Sequence, residues 1–128
     1  MVSIYMAYIA KEEAILVKGS RDRFRDFIYI DDVVDAFIRT VFSEKAVNKT
    51  FNVGTGKQTF IWQLLDEIIK AFGYKVGNYP IQFEGNTPGD QIGIYADISK
   101  IKRYLSWEPK VDLSEGIAKM VEWIKSNR

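Results

Sequence analysis

A chain of 128 residues, 47% hydrophobic and 27% charged, has the size of one domain and enough apolar content for a core, which argues against disorder. Its formal net charge of +1 offers no concentrated basic face, so no nucleic-acid partner is expected. With no cysteine and no histidine, disulfides, thiol chemistry, a histidine triad or general base and a zinc site are excluded by inventory.

Along the chain, Val2, Tyr5, Met6 and Ile9 recur at i, i+3, i+4 and i+7, which predicts a helix over residues 1–11. The opening residues lack the basic stretch of a signal peptide, and no apolar run approaches the roughly 18 residues of a membrane span. No membrane association is expected, and a cytoplasmic location is. Ala14 to Lys18 reads as an apolar strand ending at Gly19, followed by a charged loop from Arg21 to Arg25. Phe27 to Ile30 is apolar on both faces, as a buried strand would be. Asp31 or Asp32 can cap the next helix, whose Val34, Phe37, Ile38, Val41 and Phe42 form a stripe.

Phe51 to Val53 reads as a short strand running into Gly54-Thr55-Gly56. Thr59 is placed to cap a helix with Ile61, Leu64, Leu65, Ile68, Ile69 and Phe72 on one side, and Gly73 stands at its C′ position. A glycine-rich loop follows, interrupted by strands at Ile81 to Phe83 and Gly93 to Ala96. Asp97 is expected to cap a short helix carrying Ile98, Ile101 and Leu105. Asp112 and Glu115 have capping-box spacing before a last helix that buries Leu113, Ile117, Met120, Val121 and Ile124. Strands and helices alternate, so the class is mixed α/β, with residues 1–128 forming a single unit. Too few strands are present for a complete doubly wound sheet.

Two chemical motifs fail on inspection. A phosphate loop ending at Gly56-Lys57 needs glycine at 51 and Ser or Thr at 58, where Phe51 and Gln58 stand. The dinucleotide fingerprint fails at Thr59, the position of its third glycine. Gly54-Thr55-Gly56 is therefore read as a turn allowing close backbone passage. A catalytic tyrosine with lysine four residues later is absent too. The residues four after the seven tyrosines are Ile9, Glu12, Val33, Asn78, Phe83, Ser99 and Glu108.

Taken in order, Arg25-Asp26-Phe27 with Asp31-Asp32, Asn52-Val53-Gly54, Pro88-Gly89-Asp90 and Leu105-Ser106-Trp107-Glu108-Pro109 resemble the C-terminal part of the extended short-chain dehydrogenase/reductases. Within them the chain resembles the NAD-dependent nucleotide-sugar epimerases and dehydratases of the UDP-glucose 4-epimerase type. The resemblance implies a substrate-binding portion with the last elements of a Rossmann domain, the N-terminal Rossmann core being absent. It implies that the complete enzyme oxidises the sugar C4 hydroxyl of a nucleotide sugar, typically UDP-linked, with tightly bound NAD. The enzyme then returns the hydride or eliminates water. Family members are commonly homodimers. This chain alone is expected neither to bind NAD nor to catalyse, because the glycine fingerprint and the Tyr-x-x-x-Lys pair lie outside it.

By the same resemblance, Arg25 reaches a diphosphate oxygen of the nucleotide sugar, a task suited to the planar fork of guanidinium. The other reading of Arg25 is an ion pair with Asp26 or Asp32. Asp90 accepts from ribose hydroxyls or fixes a neighbouring arginine. Thr87 stands where many members place a second phosphate-binding arginine. Lys18 stands where several place an aromatic against the base, and Val17 beside it belongs to the same substrate-binding set. Trp107 and Trp123 are expected to serve packing, and Trp62 to be partly exposed. A standalone nucleotide-binding or protein-interaction module is the alternative to an enzyme portion. A closed apolar surface and a stable monomer would mark the module, whereas an enzyme portion is expected to self-associate.

Overall fold

The computed structural model describes residues 1–85, 89 and 91–127. Helix α1 (Val2–Ala10) turns Tyr5, Met6 and Ile9 inward, as their spacing predicts. Strand β1 (Ile15–Lys18) alternates, burying Ile15 and Val17 and exposing Lys18. It runs parallel to β4 (Ile81–Glu84), with Ile15 opposite Ile81 and Lys18 opposite Glu84. A parallel pair needs a long crossover, and this one contains α3 (Ile61–Ala71). Helix α3 buries Ile61, Leu64, Leu65, Ile68 and Ile69 in a core shared with α1, β1 and α5 (Leu113–Ser126). Gly73 closes α3 as expected. Its N–H donates to the Lys70 carbonyl at 2.9 Å while that of Tyr74 donates to Ile69 at 3.1 Å, the two bonds of a Schellman ending.

A smaller second core gathers Ala36, Ile101 and Trp107, with Ile28, Phe51, Val53, Ile98 and Leu105 against them. It joins α2 (Ile30–Val41) to α4 (Ser99–Leu105). Phe27 packs on the first core and Ile28 on the second. This double burial accounts for the two-faced apolar pattern at 27–30, yet no strand forms there, and Ile30 already belongs to α2. Phe51 to Val53 and Gly93 to Ala96 also form no strand, apart from a single parallel bridge between Gly93 and Phe24. In their place, two-residue strands β2 (Phe24–Arg25) and β3 (Thr59–Phe60) pair antiparallel. Thr59 therefore does not cap α3. The helix starts after Phe60, whose N–H donates to Gln63 Oε1 at 2.9 Å.

Neither Asp31 nor Asp32 caps α2. The helix begins one residue earlier and holds both in its first turn, where a carboxylate meets the positive end of the helix dipole. The stripe expected to be core is open: Val34, Phe37, Ile38, Val41 and Phe42 are 47%, 66%, 52%, 75% and 84% exposed. Trp123 departs from expectation in the same way and faces solvent, whereas Trp107 is fully buried and Trp62 is partly exposed. At the start of α5, Asp112 accepts from the Glu115 N–H at 2.8 Å, one half of the expected capping box, while the Glu115 side chain pairs with Lys119.

Ser106 ends α4 in the left-handed conformation, with φ of +48° and its N–H donating to the Lys102 carbonyl at 2.9 Å. A side chain in that conformation costs about 1–2 kcal/mol, part of which glycine recovers. Ser106→Gly is therefore expected to stabilise the protein by roughly 1 kcal/mol in a thermal melt.

Candidate functional site

Arg25 sits where three segments meet. On one side of β2, Arg25 pairs with Thr59 of β3. On the other, the Phe24 N–H donates to the Ile92 carbonyl at 3.0 Å. The guanidinium Nη1 of Arg25 donates to its neighbour's carbonyl, Phe24 O, at 2.7 Å and to Gln91 O at 3.3 Å. The residues around 91–93 thus hold the backbone of the preceding residue, Phe24, and the head group of this arginine.

The next residue, Asp26, ties the same three segments together. Its carboxylate accepts from the Thr55 N–H at 2.8 Å, the Thr55 hydroxyl at 2.5 Å, the Gly56 N–H at 3.0 Å and the Ala96 N–H at 3.1 Å. Burial pushes its pKa up, but the donations from Thr55, Ala96 and Gly56 outweigh burial and hold it below the ordinary carboxylate value. Glycine is required at position 54 by this crowding. A Cβ there would lie 2.6 Å from Asp26 Oδ2 and 2.7 Å from the Ala96 Cβ. Gly54-Thr55-Gly56 is thus a turn folded onto a carboxylate.

Asp32, only 4% exposed, accepts from the N–H groups of Lys110 at 2.9 Å and Val111 at 3.0 Å. It fastens α2 to the segment after Pro109. Both aspartates considered as ion-pair partners of Arg25 therefore have backbone N–H groups as ligands. Their structural roles were missed in the sequence, where an acid beside arginine reads first as an ion pair.

Of the other expected site residues, Lys18 is exposed at the end of β1, and its carbonyl accepts from the Arg23 guanidinium. Val17 is buried in the first core, so its side chain is turned away from the face that carries Lys18. Thr87 and Asp90 lie outside the described residues. None of Val17, Lys18 and Arg25 lines a groove of about 550 Å³ between α3 and residues 109–114. The groove's Lys57, Lys70 and Lys110 are balanced by Asp66, Glu67 and Asp112, with Lys70 paired to Glu67 at 2.8 Å. It therefore offers an anionic ligand no net attraction, and the Arg25 junction is the better candidate. Among the described residues there is no cluster of metal-ligating side chains and no helix long and apolar enough to cross a membrane.

Comparison with known proteins fixes the class. The family model for GDP-mannose 4,6 dehydratase matches residues 1–120. A putative UDP-glucose 4-epimerase of Methanocaldococcus jannaschii is 32% identical over 127 residues, which are 99% of this chain and 39% of the relative. The UDP-glucose 4-epimerase of Thermotoga maritima, solved with UDP-glucose, matches at a TM-score of 0.82 and 32% identity over 98% of this chain and 39% of its own. The UDP-glucuronic acid 4-epimerase of Bacillus cereus, solved with UDP-glucuronic acid and NAD, shares the fold, with a TM-score of 0.88 at 24% identity over 99% of this chain and 40% of its own. The chain belongs to the NAD-dependent nucleotide-sugar epimerase/dehydratase family of extended short-chain dehydrogenase/reductases. The chain spans about 39% of the length of the curated relative it matches.

Proposed function

We propose that this chain is the substrate-side portion of a nucleotide-sugar epimerase or dehydratase, and that Arg25 contacts the diphosphate of a UDP-linked sugar. The observation that carries this reading is the similarity, across 98% of the chain, to an epimerase solved with UDP-glucose. Arg25 supports it as a guanidinium on a framework tied from both sides. Lys18 adds an exposed positive charge, while Thr87 and Asp90 enter through their motif alone. The complete protein would use NAD, act in the cytoplasm and need no nucleic acid. The chain by itself lacks the glycine fingerprint and the Tyr-x-x-x-Lys pair, and on this reading neither holds NAD nor turns over substrate. A standalone module would call for a closed apolar surface, and the open face of α2 speaks against it.

Calorimetric titration of UDP tests the reading. Weak binding is expected, and Arg25→Ala should remove about 1.5–3 kcal/mol of it, the worth of a hydrogen bond to a charged group. Equal affinity of the two proteins would reduce Arg25 to a structural residue.

A further inference from the structure

We infer that Asp26 is a positioning residue for Arg25, setting the affinity for a nucleoside diphosphate without touching it; the inference rests on the diphosphate role given to Arg25 above. The guanidinium is planar but rides on a flexible stem, and among the described residues it donates to the carbonyls of Phe24 in β2 and Gln91 in the neighbouring segment. That segment lies against β2 through the Phe24–Ile92 hydrogen bond and the Phe24–Gly93 bridge, both close to Gln91. Asp26 fixes its far end through Oδ2, which accepts from both Ala96 and Gly56, while Oδ1 grips Thr55. Arg25 is thus framed by 91–96 on one side and by the 55–60 stretch on the other, and one side chain holds both. The missing Cβ of Gly54 lets these segments come close enough for a single carboxylate to reach them.

The placement of the charge matters. A carboxylate accepts all four donations, whereas an asparagine amide in its place would turn an NH₂ group toward donors. Asp26→Asn therefore keeps the shape and loosens the clamp. Hydrogen-bonded neighbours that orient a ligand-holding group are worth about 10–100-fold in affinity at metal sites, and the lower end of that range is expected here.

The test is a double-mutant cycle on the whole chain, read as UDP affinity by calorimetry, with melting curves confirming that each protein is folded. Asp26→Asn is expected to weaken UDP binding about tenfold in the wild-type background and to have almost no effect in the Arg25→Ala background, because its influence passes through Arg25. Equal losses in both backgrounds would make Asp26 a general structural residue and overturn the inference. Loss in Arg25→Ala with none in Asp26→Asn would overturn it while leaving the diphosphate role of Arg25 intact. No effect of Arg25→Ala, or no UDP binding at all, would remove that role and the inference with it. Should Asp26→Asn fail to fold, Thr55→Val, which deletes only the hydroxyl donor to Asp26, takes its place in the cycle with the same outcomes.

Discussion

At micromolar concentration the chain is expected to scatter light as a dimer or larger species, and Phe37→Glu combined with Phe42→Lys to return it to monomer mass. The cause is α2, which buries Asp32 and Ala36 but leaves Ile30, Val34, Phe37, Ile38, Val41 and Phe42 exposed. A fully buried side chain of this kind contributes about 1.5–3 kcal/mol, so covering the six would rival a typical folding stability of about 5–15 kcal/mol. A contiguous face of this kind marks an interaction surface, and a second copy meeting it across a two-fold axis places like against like. The two charges are introduced at positions that touch little of either core, so the melting temperature should hardly move while the mass falls. A well-folded monomer for the unaltered chain would favour the standalone module.

Trp107→Ala is expected to cost about 3–5 kcal/mol, seen as a lower denaturant midpoint, since truncating a buried large aromatic leaves a cavity the surroundings only partly fill. Trp107 is fully buried in one cluster with Ala36 of α2 and Ile101 of α4, and it is the largest of the three side chains. Its indole N–H finds no hydrogen-bond partner among the described residues. Trp107→Phe gives up that N–H along with part of the ring, and burying an unsatisfied donor is itself costly. The phenylalanine variant should therefore lose far less than the alanine variant. Equal losses would mean that the indole N–H matters more than the volume of the ring.

The helices were legible because their evidence is local. Five apolar positions at helical spacing and a glycine at the end specified α3, and Asp112 with Glu115 specified the start of α5. The strands were less legible, because β2 and β3 have two residues each, too few for alternation to register. Phe27 and Ile28 misled for a physical reason: burial on both faces looks the same whether the neighbours are strands or two separate cores. The stripe on α2 was found correctly as a stripe, but periodicity reports only that a face is apolar, not what covers it. At the site, the motif pointed to Arg25. The clamp made by Asp26 was hidden, since its partners lie 29, 30 and 70 residues away.

The placement of Phe27 and Ile28 also bears on how the molecule comes apart. Two adjacent residues anchor in different hydrophobic clusters, so a single peptide unit rivets one cluster to the other. Neither cluster can melt alone without dragging on a neighbour still seated in the rest of the fold. The rivet follows directly after Arg25 and Asp26. Loosening anywhere in the chain should therefore be felt at the arginine, and a ligand held there would stiffen helices at opposite ends of the sequence.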